Sequence, residues 1–280
     1  MFAVSGNLIS HYGSFKFWGV GVFVMLVLLS LLYMKLTSKY KVTSKQKLFF
    51  FTAVVLFYLF KGSPIALVSG DQLFSAHVLQ LMVVLFIVPP LSIMSLPVDF
   101  LRSYFWSYQK RRVMKWLTHP FPSALLFNIS LSVYFAPPVF NVAISHSLLL
   151  LSFQTLLLLF AFIMWWTIIT PLPEMTKLSE QVRVLYIFLA SLLLLPIGIF
   201  LLATGHPHYT LYQAGQQVLP SLSALGDQQL GGGFLKGIQL TTYGIALFII
   251  MSRWAKKEEE PDDDYPYYAR ESLGVPYKKK

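Results

Sequence analysis

No cysteine occurs anywhere in the 280 residues. Disulfide frameworks, thiolate zinc sites, iron–sulfur clusters and cysteine nucleophiles are thereby excluded. Any metal must be held by His, Met or carboxylate. Charge is scarce as well: Asp, Glu, Lys and Arg make up 12% of the chain, against about 25% in a soluble domain. So few charges cannot cover a water-facing surface. Also missing are a nucleophile–base pair and a glycine-rich phosphate loop of the G-x-x-x-x-G-K-S/T kind, so the chain reads as a non-enzyme. Apolar residues fill the gap, at 56% of the total, with twenty-four Phe, fifteen Tyr and six Trp. This is the composition of an integral membrane protein.

A spanning helix needs about 20 mostly apolar residues. Seven candidates follow, at about 16–36, 48–68, 73–96, 122–142, 148–170, 183–204 and 233–253. The fourth and fifth share the stretch between Lys115 and Glu174, which contains no Asp, Glu, Lys or Arg. The first run is too long for a signal-peptide core and no A-x-A site follows it, so it is read as retained. Basic residues segregate. Nineteen of the twenty-two Lys and Arg fall in alternate loops and the tail, and only Lys16, Lys61 and Lys236 fall on the other side. By the positive-inside rule the amino terminus faces out and the carboxyl terminus in. The expected fold is an all-α, seven-transmembrane-helix bundle over residues 1–254. The charged cytoplasmic tail, 255–280, is expected to be disordered or to lie on the membrane surface. The basic loops imply contact with the lipid bilayer and not with nucleic acid. Loop 205–232, with Gly231-Gly232-Gly233 at its end, reads as a flexible outer segment.

Prolines interrupt three spans, at Pro89-Pro90, Pro137-Pro138 and Pro196. They mark packing kinks or the walls of a bent-helix cavity. Five of the six histidines, His11, His77, His146, His206 and His208, fall on the outer side of this topology. His77 lies one turn into the third span, where an ionisable side chain is a functional candidate. His206 and His208 point the same way in an extended segment. Met82 shares the span of His77 but, at i+5, not its face. Imidazole and thioether suit copper, and thioether favours Cu(I). Asp71 and Asp227 are candidates to orient these histidines. The bland alternative is that outer histidines bond headgroups or loop carbonyls.

The order of several short motifs resembles one family. These are Gly62-Ser63-Pro64, Leu73-Phe74-Ser75-Ala76-His77 with Leu79-Gln80, Pro89-Pro90-Leu91, Leu96-Pro97, Leu101-Arg102, Trp165-Trp166, Pro171-Leu172-Pro173-Glu174 and Asp227-Gln228-Gln229-Leu230-Gly231-Gly232. From about residue 15 to 253 the chain is similar to the Caa3-type CtaG proteins, assembly factors for bacterial cytochrome c oxidase. The resemblance implies a multi-pass protein of the bacterial plasma membrane, needed for active oxidase, with oxidase subunits as partners. A role in copper delivery to the oxidase is part of what the resemblance implies; the candidate Cu(I) ligands on the outer side are those of the residue reading, His77, Met82, His146, His206 and His208, with a copper chaperone as donor. The chain departs from the family where Leu81, Phe135 and Gln154 stand in place of histidines that many members carry. A metal-free scaffold for an oxidase subunit therefore stays open, as does a small-solute or metal transporter. An intramembrane enzyme ranks last for want of an acid–base pair.

Overall fold

The computed structural model describes residues 18–172, 174, 178–212 and 221–259, with residues 68, 70, 71 and 257–259 described by backbone alone. Among them the regular structure is helical: α1 (Val20–Thr37), α2 (Ser44–Lys61), α3 (Ile65–Asp71), α4 (Phe74–Phe86), α5 (Val88–Met94), α6 (Val98–Tyr104), α7 (Tyr108–Leu117), α8 (Pro120–Tyr134), α9 (Pro137–Ser145), α10 (Ser147–Ile169), α11 (Glu180–Leu193), α12 (Leu195–Ala203) and α13 (Ala224–Glu259).

Five stretches are long and apolar enough to cross a membrane: Val20–Thr37, Phe74–Met94, Ser147–Ile169, Glu180–Ala203 and Ala224–Lys256. The pair α8 and α9 makes a sixth if its two halves count as one span. That pair is bent by 75°, a sharper break than the packing kink expected there. The bend falls where Pro137 and Pro138 remove two backbone donors. The remaining expected span, α2, is an 18-residue helix with Lys45, Lys47 and Lys61 at its ends.

Local chemistry sets the helix limits. Thr43 and Gln46 form a reciprocal capping box that starts α2, each side chain accepting from the other residue's amide. At its far end α2 meets the start of α1 backbone to backbone. Gly19 has φ of 51°, and a Cβ there would lie 2.4 Å from the Gly62 carbonyl oxygen. Only glycine satisfies both conditions.

The third span breaks at Ile87 into α4 and α5. Pro89 cannot donate to the carbonyl of Leu85, four residues back. The indole Nε1 of Trp165, from α10, donates to that carbonyl instead, at 3.1 Å. In lipid an orphan carbonyl costs several kcal/mol, so the Pro89-Pro90 and Trp165-Trp166 motifs are two halves of one repair. Trp166 packs edge-on against Phe105, with centroids 5.6 Å apart.

The span α4–α5 is the most buried of the candidates and lies at the centre of the bundle. Val78, Met82, Leu85 and Phe86 pack there with Phe127, Leu131, Leu157 and Met164. The last helix differs from expectation. It begins at Ala224, so Gly231, Gly232 and Gly233 lie inside α13 and not in a flexible loop. A Cβ on Gly231 would lie 2.9 Å from the Phe74 ring, and one on Gly232 would lie 2.9 Å from Leu201 Cβ. The glycines let α13 approach α4 and α12 closely, the use small residues have between membrane helices. At its other end α13 continues to Glu259, past the expected domain limit at 254. The tail from 260 onward, His11 and Pro173 lie outside the described residues.

Candidate functional site

Contacts divide the bundle into two ends. One carries Lys61, His77, His206, His208 and Asp227, and the other carries Arg102, Glu174, Arg183 and Arg253.

At the first end a chain of hydrogen bonds runs through the interior. His77 is 2% exposed. Its Nδ1 lies 3.1 Å from the Ser69 carbonyl, and its Nε2 lies 2.8 Å from the Tyr134 hydroxyl. A carbonyl only accepts, so Nδ1 carries the proton and Nε2 accepts from Tyr134. Tyr134 in turn accepts from Gln154 Nε2 at 3.4 Å. The Gln154 Oε1 accepts from Lys61 Nζ at 2.7 Å. Lys61 also donates to Gln80 Oε1 at 3.3 Å, and Gln80 donates to the Phe60 carbonyl. Each donor from Lys61 to His77 therefore points the same way. The Ser69 carbonyl accepts a second bond from Tyr212, at 3.1 Å.

Aromatic rings close this chain off. Phe140 sits edge-on to the imidazole at 5.3 Å. Tyr209 stacks on Phe74 at 3.9 Å, and its hydroxyl donates to the Phe135 carbonyl at 2.6 Å, beside the α8–α9 bend. A low-dielectric surround strengthens such hydrogen bonds and makes a missing one costly.

The remaining candidates are placed as follows. Met82 is fully buried in the core, about 140° around α4 from His77 at 100° per residue. His146 is exposed between α9 and α10, with Nδ1 3.1 Å from the Val142 carbonyl. His206 and His208 are brought together, with ring centroids 4.6 Å apart. Thr204 engages Nδ1 of His208 at 3.3 Å, so Nε2 is the nitrogen left to a ligand. Among the described residues no three His, Asp or Glu side chains converge as a metal cluster.

Asp227 does not orient an imidazole. It is 3% exposed, and its oxygens accept from the amides of Phe74 at 2.7 Å and Ser75 at 3.0 Å, and from the Ser75 hydroxyl. It holds the amino terminus of the helix that carries His77, where the orphan amides and the helix dipole favour a negative charge. Gln228 accepts from the His208 amide at 2.8 Å, and Gln229 donates to the Thr204 carbonyl at 3.5 Å. The run from Asp227 to Gly232 is thus a docking seam, tying α13 to α4, to α12 and to the segment after α12. Asp71 is described by backbone alone, at the end of α3.

At the other end, two motifs from distant parts of the chain meet. Arg102 Nε donates to Glu174 Oε1 at 2.8 Å. That bond holds the Glu174 carboxyl below its ordinary value. Thr170, at φ 48°, ends α10 immediately before Pro171, because the residue before a proline is barred from the right-handed helical region.

Sequence reasoning missed Lys61, Tyr134 and Gln154 as parts of the site. Lys61 carried a signal: it was one of only three cations on the sparsely charged side, at the end of an apolar run. Gln154 carried another, as a departure from the family pattern. Nothing in the sequence marked Tyr134 among fifteen tyrosines.

The fold and its internal polar chain define the class: an all-helical membrane protein whose central helix is held at its start by a buried carboxylate. The particular family follows from comparison. The model for the cytochrome c oxidase caa3 assembly factor, Caa3_CtaG, matches residues 27–257, and the chain belongs to that family. Neither the comparison with curated proteins nor that with solved structures found a match.

Proposed function

We propose that the chain serves caa3-type oxidase biogenesis in the bacterial plasma membrane as a scaffold that grips an oxidase subunit while its cofactors load. In this reading it is not a redox enzyme and its interior holds no metal. One observation carries the choice of scaffold: both nitrogens of His77 are already engaged within the protein, by Ser69 and Tyr134. A metal at His77 would have to displace Tyr134 and would lie near the Lys61 ammonium. Seven spans, with the amino terminus out and the carboxyl terminus in, complete the reading. Charge asymmetry supports that orientation, with α2 counted as a span whose lysines sit at its ends.

A second reading rests on the 4.6 Å pairing of the His206 and His208 rings. Two imidazoles at the rim would hold Cu(I) weakly enough for hand-over from a copper chaperone to the oxidase.

Deletion of the gene separates the two. Loss of oxidase activity without rescue by added copper is expected of a scaffold. Rescue by copper, with copper lost from purified H206A/H208A protein, would overturn that reading in favour of the rim site. Copper content should be equal in wild type and His77→Ala.

A further inference from the structure

At the end of the bundle away from His77, an apolar groove of about 210 Å³ runs between α5, α10 and α13. Ile87, Leu91, Ile168 and Ile249 line it, and it extends along α13 from Thr242 to Arg253. The eleven helical rises between those two residues give it a length of about 16 Å. Among the described residues Arg253 is the only charged side chain in its wall, and it has no ion pair there. An apolar slot with a cation at one end has the pattern of an amphiphile with an anionic head.

We propose that this groove binds an anionic phospholipid, with an acyl chain along the α13 wall and the phosphate on Arg253. The planar guanidinium matches phosphate oxygens two at a time. A second arginine strengthens the assignment. Arg183, at the start of α11, is 7% exposed, and its Nε has no partner among the described residues. Glu180 pairs with the other side of that guanidinium at 3.1 Å. Arg183 and Arg253 sense each other's charge, so an anion there relieves repulsion. Lys256, one turn beyond Arg253, adds to the attraction. Trp254 is half-buried beside them, an aromatic at the level expected for headgroups.

The test uses the full-length protein, purified and stripped of lipid, then given phosphatidylglycerol, phosphatidylcholine or inorganic phosphate. Retained lipid is read by native mass spectrometry, and protection by thermal unfolding. Wild type is expected to retain phosphatidylglycerol about five-fold over phosphatidylcholine, the weight of one basic side chain at an anionic surface. Arg253→Gln should reduce that preference several-fold while leaving phosphatidylcholine unchanged. Ala246→Phe, which fills the groove, should reduce retention of both lipids. Equal retention of the two lipids by wild type would overturn the proposal, as would an undiminished preference in R253Q. Protection by inorganic phosphate equal to that by phosphatidylglycerol would also overturn it, because the acyl chain would then contribute nothing.

Discussion

The indole of Trp165 donates to the carbonyl of Leu85 at 3.1 Å, the carbonyl that Pro89 leaves without a helical donor. Eighty residues separate the two ends of this bond. Trp165→Phe keeps the ring and loses the donor, and should cost about 1–3 kcal/mol, the penalty for a buried unsatisfied group. Pro89→Ala restores a backbone amide, so the double variant W165F/P89A should recover much of that loss. Thermal unfolding of the four proteins in detergent gives the cycle. Strictly additive effects would show that the two residues are not coupled.

The Lys61 chain admits a similar cycle. Lys61→Met strands the oxygens of Gln154 and Gln80 in an apolar interior, at about 1–3 kcal/mol for each acceptor left unpaired. K61M/Q154L removes both members of the 2.7 Å bond and should be more stable than K61M alone. Strict additivity of the two effects would place Gln154 outside this chain.

Asp227 holds the start of α4 by its charge as well as its shape. Asp227→Asn keeps one acceptor and removes the charge–dipole attraction, a loss of up to ~2 kcal/mol in a buried setting. Asp227→Ala leaves both amides unserved and should cost more. Limited proteolysis near residue 72 should speed up in the same order. Equal stability of D227N and wild type would show that the charge at this helix end contributes little.

The three consecutive glycines of α13 should behave differently. Gly231→Ala and Gly232→Ala place a Cβ 2.9 Å from Phe74 and Leu201 atoms, and overpacking of that kind costs about 1–3 kcal/mol. Nothing lies within 4 Å of a Cβ on Gly233, so Gly233→Ala should stabilise by up to ~1 kcal/mol through helix propensity. Melting temperatures of the three variants decide it. A uniform response would favour a flexibility role for all three.

The bond between Arg102 and Glu174 sets a pH dependence. The Arg102 hydrogen bond holds the Glu174 carboxyl below its ordinary value of 4.5. Its contribution is therefore fully present above pH 4.5 and is lost as pH falls through the lowered value. Wild type minus Glu174→Gln, measured by thermal unfolding from about pH 6 to about pH 3, should shrink toward zero on the acid side. The difference should be small throughout, because both side chains are largely exposed. A difference that grew on acidification would reverse the assigned sign.

Much of this protein could be read in its sequence. Apolar length located five of the seven expected spans outright, because lipid tolerates no unpaired backbone and few charges. The proline pairs located the breaks at Ile87 and between α8 and α9, because each proline removes a donor. The ordered motifs indicated the family. The sequence also pointed to His77, His206 and His208 as polar groups that needed explaining. Tertiary structure decided what became of them. Whether an imidazole can take a metal depends on what already bonds its two nitrogens, and Ser69 and Tyr134 reach His77 from other helices. Asp227 lies 152 residues from Ser75, so only packing reveals that it serves a helix terminus and not a histidine. Glycine in a helix and glycine in a loop look alike along a chain. The distance from each absent Cβ to its neighbours, which tells them apart, exists only once the helices have met.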